Sequence, residues 1–163
     1  MKQFACWLLF VLGLYVIEAS FMPIIFGGIA PDLLLILVVS FAFQRGARQG
    51  ALMGFLTGLL SDLATGTFFG IHILTKMIIG FSCGLFSKNV FKEQMFLPLV
   101  SVLIATAADD AVTLLFMFLL GYRPDILSHV HQLLLPTLFF NVVFALPVHY
   151  ATTKMVERLT VEK

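Results

Sequence analysis

PDLLLILVVSFAFQRGARQGALMGFLTGLLSDLATGTFFGIHILTKMIIG, residues 31–80, decides the fold. Its first 13 residues form an apolar run opened by Pro31-Asp32. A basic turn carrying Arg45 and Arg48 follows, and Gly46, Gly50, Gly54 and Gly58 then recur at every fourth position. Small residues at that spacing line up on one helix face, where they let a second helix approach closely and replace lipid contacts with van der Waals packing. The stretch therefore reads as a tight helical hairpin in hydrocarbon, with the glycine face packed inside the bundle or on a partner helix.

The rest of the chain agrees. Of 163 residues 60% are hydrophobic and 12% charged, with a mean hydropathy of +1.03, whereas soluble domains are about 45–50% apolar and about 25% charged. Too few polar side chains exist to cover a water-exposed surface. A helical span takes on the order of 20 residues, and apolar runs bounded by Gly, Pro or charge suggest six, near 4–22, 31–43, 49–63, 70–86, 97–120 and 131–151. The predicted fold class is an all-α integral membrane protein, with six transmembrane helices in a single polytopic domain over residues 1–163.

Charge placement sets the orientation. Lys2, Arg45, Arg48, Lys88, Lys92, Lys154, Arg158 and Lys163 fall on one side of such a bundle and Arg123 alone on the other, while Lys76 lies within a span. Short cytoplasmic loops carry the excess of Lys and Arg, so both termini are predicted cytoplasmic. The first run reads as an uncleaved helix rather than a secretory signal, because it is long, contains Glu18 and would place a cleavage site just before Pro31. There is no basic tract for nucleic acid. Cys6 and Cys83 lack any metal or disulfide spacing and read as small buried hydrophobes.

Glu18, Asp62, Lys76, Asp109, Asp110 and Asn141 are expected to form a polar layer across five helices, since an ionisable group in the bilayer costs roughly 2.5–3.5 kcal/mol and must find a partner, a cavity or the bundle interior. An Asp62–Lys76 ion pair is geometrically reasonable across the short loop containing Gly66 and Gly70; the competing reading places Asp62 in the interface as an ordinary loop residue. The layer is either structural, fixing helix packing or a partner helix, or it marks a proton or solute pathway. Thr106 and Thr113 share one side of the fifth helix with the two aspartates, and His72 is placed to join the layer from the fourth. His129, His131 and His149 read as interfacial. Pro136 and Pro147 are expected to bend the last helix or to sit harmlessly near its ends. No catalytic set and no cofactor or metal site is indicated.

The run from Pro31 to Gly80 resembles the rod-shape-determining MreD family, through its Pro31-Asp32 start, the basic turn with Arg45, the glycine-rich helix ending near Asp62, and the Gly66-x-x-x-Gly70 loop. The resemblance implies a non-enzymatic bacterial inner-membrane subunit of the cell-elongation machinery for peptidoglycan synthesis. Its implied direct partner is the bitopic MreC, with MreB filaments, the glycosyltransferase RodA and its transpeptidase as indirect partners. It also implies a fold similar to the substrate-binding subunits of energy-coupling-factor vitamin transporters. A small-solute binding subunit of a transporter is the alternative function.

Overall fold

A computed structural model describes residues 2–25, 28–66, 69–86, 96–123 and 125–161. Lys88, Lys92 and Lys163, which contribute to the charge partition, lie outside the described residues, as do Gly27 and most of the segment 87–96. The described residues are helical, with no strand among them. Six continuous helices result. Helix α1 comprises Lys2–Val16, a π turn at Ile17–Phe21, and Met22–Ile25; α2 is Leu33–Arg45, α3 Ala47–Thr65, α4 Ile71–Phe86 and α5 Phe96–Leu119. Helix α6 comprises Ile126–His129, a second π turn at Val130–Leu134, and Leu135–Val161. Among the described residues, three helical stretches are long and apolar enough to cross a membrane: Ala5–Ile25, Pro98–Leu119 and Ile126–Leu159.

The organising element is α2, the most thoroughly buried helix. Every residue from Leu33 to Ala42 is buried, so the helix is apolar all round because protein surrounds it all round. It touches all five other helices. At about 1.5 Å per residue its 13 residues reach only about 20 Å, less than the roughly 30 Å of a hydrocarbon core. A helix this short must satisfy its terminal N–H and C=O groups from its neighbours. At its start, Asp32 Oδ1 accepts from Leu35 N at 2.7 Å and Glu18 Oε2 from Leu34 N at 3.0 Å. At its far end Gln44 Nε2 donates to Thr153 Oγ1 of α6 at 3.0 Å, which helps explain why α6 runs beyond the expected limit near residue 151.

Both π turns precede a proline by two residues. A proline ring clashes with the carbonyl four residues back, here those of Ala19 for Pro23 and Gln132 for Pro136. Both carbonyls lie inside the widened turns, which close through Met22 N to Ile17 O and Leu135 N to Val130 O. The first turn also carries Glu18. Pro147 sits inside the last helix with no such turn. Helix α6 starts at Asp125, whose carboxylate accepts from Ser128 Oγ at 2.7 Å and Leu127 N at 3.2 Å; these bonds, the Ser128 one foremost, hold its pKa below the ordinary carboxylate range.

Candidate functional site: the helix contact and the buried polar cluster

Helices α3 and α4 meet backbone to backbone. A Cβ placed on Gly50 would lie 2.4 Å from Gly80 O, one on Gly54 2.2 Å from Lys76 O, and one on Gly58 2.5 Å from His72 O. From the opposite side, a Cβ on Gly80 would lie 2.3 Å from Gly50 O and one on Gly84 2.4 Å from Ala47 N. Such approaches leave no volume for any side chain, so the small residues of the two helices interlock within one chain.

Gly46 meets α4 only through its main chain, near Gly84, and its own side-chain direction is open, contrary to the expectation from its spacing. It lies between α2 and α3 with φ +85°, where a Cβ would have nothing within 4 Å. Its role is conformational, since residues with a side chain rarely adopt that backbone geometry. The chain reverses there, and the N–H of Gly46 closes the end of α2 on Ala42 O at 2.8 Å.

Asp62 joins the ends of α3 and α4. It is 1% exposed, and its carboxylate accepts from Gly70 N at 2.9 Å and from His72 N and Ile73 N at 3.1 Å each. Its own carbonyl accepts from Gly66 N at 3.0 Å, with Gly66 in the left-handed conformation that ends α3. A carboxylate at a helix N-terminus satisfies free donors and complements the helix dipole. Replacing Asp62 with Ala is expected to lower stability by about 2 kcal/mol or more, the upper end for a lost cap, because buried N–H groups lose their acceptor. Thermal unfolding of the purified variant checks this, and an unchanged midpoint would refute the capping role.

The ion pair considered between Asp62 and Lys76 is replaced by another. Lys76, 1% exposed, bonds Asp32 through Nζ to Oδ2. The short loop gives Asp62 to the amides of α4, and the partner comes instead from the start of α2. Asp32 thereby links three elements: it caps its own helix through Oδ1, receives Lys76 on Oδ2, and donates its N–H to Asn141 Oδ1 of α6 at 2.8 Å. Asn141, fully buried, passes the chain on through Nδ2 to Thr106 Oγ1 at 2.8 Å, and Thr106 donates to Val102 O. Asp109 and Glu18 lie within electrostatic reach of the Lys76 ammonium without bonding it. Asp109 Oδ2 stands 3.8 Å from His72 Nδ1.

Asp110 turns elsewhere. Its Oδ1 lies 2.9 Å from His129 Nε2, joining α5 to the start of α6 away from Lys76. The sequence reading therefore missed Asp32 as a member of the cluster and His129 as the partner of Asp110. The depth of Asp32 at the start of a span was the available signal for the first; the second depends on the α5–α6 turn, which the sequence does not specify. The free thiols Cys6 and Cys83 are half-buried.

A helical protein with membrane-capable outer helices, and with Asp32, Asp62 and Lys76 turned inward on one another and on helix ends, is the class these features define. The family model for the rod shape-determining protein MreD matches residues 1–158. The chain belongs to the MreD family, and is accordingly a rod-shape-determining membrane protein. No curated protein and no solved structure matches it.

Proposed function

We propose that this protein is a six-span, non-enzymatic scaffold of the bacterial inner membrane, with both termini in the cytoplasm, that binds MreC and through it helps organise MreB, RodA and its transpeptidase during cell elongation. Family membership supports the cellular role. The observation that carries the scaffold reading is how the polar groups are used: Asp32, Asp62, Lys76 and Asn141 hold helix ends and helix pairs together. A buried network of this kind fixes one arrangement of helices and so one outer surface.

With Gly50, Gly54 and Gly58 consumed inside the chain, MreC needs another face. We assign it the groove of about 380 Å³ between α1 and α3, floored by Val11, Phe41 and Met53 and walled by Trp7, Leu52 and Leu56. The Trp7 ring stands edge-on to Phe41, centroids 4.8 Å apart, so one wall is braced on the buried core. An apolar groove bounded by two helices suits the single transmembrane helix implied for MreC, because packing against shaped walls replaces lipid contacts.

Filling the groove by Leu52→Trp with Leu56→Trp is expected to cut recovery of MreC about tenfold, some 1.4 kcal/mol, with the amount of folded protein unchanged. Leu115→Trp, on the exposed part of α5, serves as the control and should leave recovery intact. Equal recovery by the groove variant and the control would place the MreC contact elsewhere.

A further inference from the structure

Helix α3 carries two packing rows of different period on opposite sides. Gly50, Gly54 and Gly58 recur every fourth residue and are spent against the backbone of α4. On the side away from α4, Gln49, Leu52, Leu56 and Leu59 line the groove beside α1 at intervals of three, four and three. Leu63, 65% exposed, continues that row by four more residues. In a helix of 3.6 residues per turn a step of four drifts by about 40°, so the glycine row crosses α3 obliquely, whereas a step of three plus a step of four returns to within about 20°. The second row therefore runs nearly along the axis, and from Gln49 to Leu63 it covers about 21 Å.

The rows also differ in bulk. Glycines admit a neighbouring backbone to contact, while leucines hold it off, so a helix meeting them must interdigitate side chains at an interaxial distance of about 8–10 Å. Alternating intervals of three and four keep that interdigitation continuous when two helices wrap left-handed at about 20°, the prevailing arrangement in transmembrane bundles. The groove supplies the holes. Trp7 and Val11 of α1, four residues apart, face the row across about 380 Å³. Leu52 is 66% exposed and Leu56 37%, whereas Phe41 and Met53 below them are buried, so the rims are open to an incoming helix and the floor is fixed.

We propose that the partner helix docks on α3 as a left-handed, heptad-spaced seam, setting large apolar side chains at intervals of three and four between the α3 row and the α1 wall, rather than presenting a small-residue face. This rests on the assignment of the groove to MreC and adds the chemistry and the hand of the contact. The row begins at Gln49, beside Arg48 at the end placed in the cytoplasm, so the seam runs outward from the inner interface. A partner with small residues at the facing positions would leave the holes unfilled, and packing is a principal attraction between helices in lipid.

Disulfide cross-linking in membranes tests the seam. The full-length protein, with Cys6 and Cys83 changed to alanine, receives a single Leu52→Cys or Leu59→Cys, each paired with a cysteine scanned through the MreC transmembrane helix. Both sites should cross-link several-fold above Ile78→Cys on the exposed side of α4, with their best MreC positions seven residues apart, one heptad. Gln49→Cys and Leu56→Cys form a second pair of the same spacing, should a variant of the first fail to accumulate. Truncating to alanine the large MreC residues at those positions is expected to cut its recovery about tenfold. Cross-links from the groove confined to one crossing point, or best positions at another spacing, would overturn the seam while leaving MreC in the groove. No cross-link above Ile78→Cys from any of the four sites would overturn the seam and the groove assignment together.

Discussion

Gly54→Leu is expected to prevent this protein from accumulating in a folded form. The first added carbon would lie 2.2 Å from Lys76 O, 2.5 Å from Lys76 C and 2.8 Å from Met77 Cα. All three are backbone atoms, which cannot rotate away as a side-chain tip could. Overpacking a core typically costs about 1–3 kcal/mol and occasionally more, and a clash with main chain belongs at or beyond the upper end. Relief would require α4 to move off α3, yet Gly50 with Gly80 and Ala47 with Gly84 hold the same two helices together at other points. The movement would also carry Lys76 away from Asp32. Gly54→Ala should show the same defect in milder form, and Gly13→Leu almost none, because a Cβ on Gly13 meets nothing within 4 Å. Size-exclusion profiles of detergent-extracted, fluorescently tagged variants measure the effect, and a monodisperse Gly54→Leu at wild-type yield would contradict the close packing described.

Lys76→Met should be nearly as damaging, through electrostatics rather than volume. Methionine approximates the lysine stem, so little space is lost, but the Asp32 carboxylate is left without its bonded cation. Breaking a buried pair by removing one partner costs about 3–5 kcal/mol, because the remaining charge stays uncompensated. Adding Asp32→Asn to Lys76→Met removes the stranded charge and preserves a cap for α2. The double variant should therefore be more stable than the sum of the two single losses predicts, with a coupling of about 0.5–3 kcal/mol. Unfolding midpoints of the four proteins give that coupling directly. Strict additivity would mean that the pair contributes nothing beyond its separate members.

What the sequence made legible was whatever depends on local spacing and on solvent. Fourfold spacing aligns Gly50, Gly54 and Gly58 on one helix face regardless of tertiary context, and a continuous apolar run such as 33–42 can be buried on all sides only by protein or lipid. Gly46 shows where spacing stops being sufficient: the same interval holds, but the chain has turned out of the helix at that residue. Partner choice was less legible still. Asp62 and Lys76 are near in sequence and similar in depth, yet Asp62 is taken by the free amides of α4 and Lys76 by a residue 44 positions away. Which acceptor wins depends on how helix ends meet, and that is settled by the burial of α2 among five neighbours. The widened turn that aims Glu18 at Leu34 N carried only an indirect signal, the proline at 23.

A short buried helix, held by polar groups at its ends and sheathed by longer apolar helices, gives a molecule whose outer face is fixed by its interior. Such an interior suits the scaffold role proposed above, since a partner helix binding a preformed groove would bear little cost of ordering it. The central claim is therefore association with MreC through the membrane. Co-purification of the tagged protein from mild detergent with its host's MreC, beside an MreC lacking its transmembrane helix, tests it most directly. Recovery of intact MreC and loss of the truncated form is the predicted result; absence of intact MreC from a preparation shown to be folded, or equal recovery of both forms, would contradict the account.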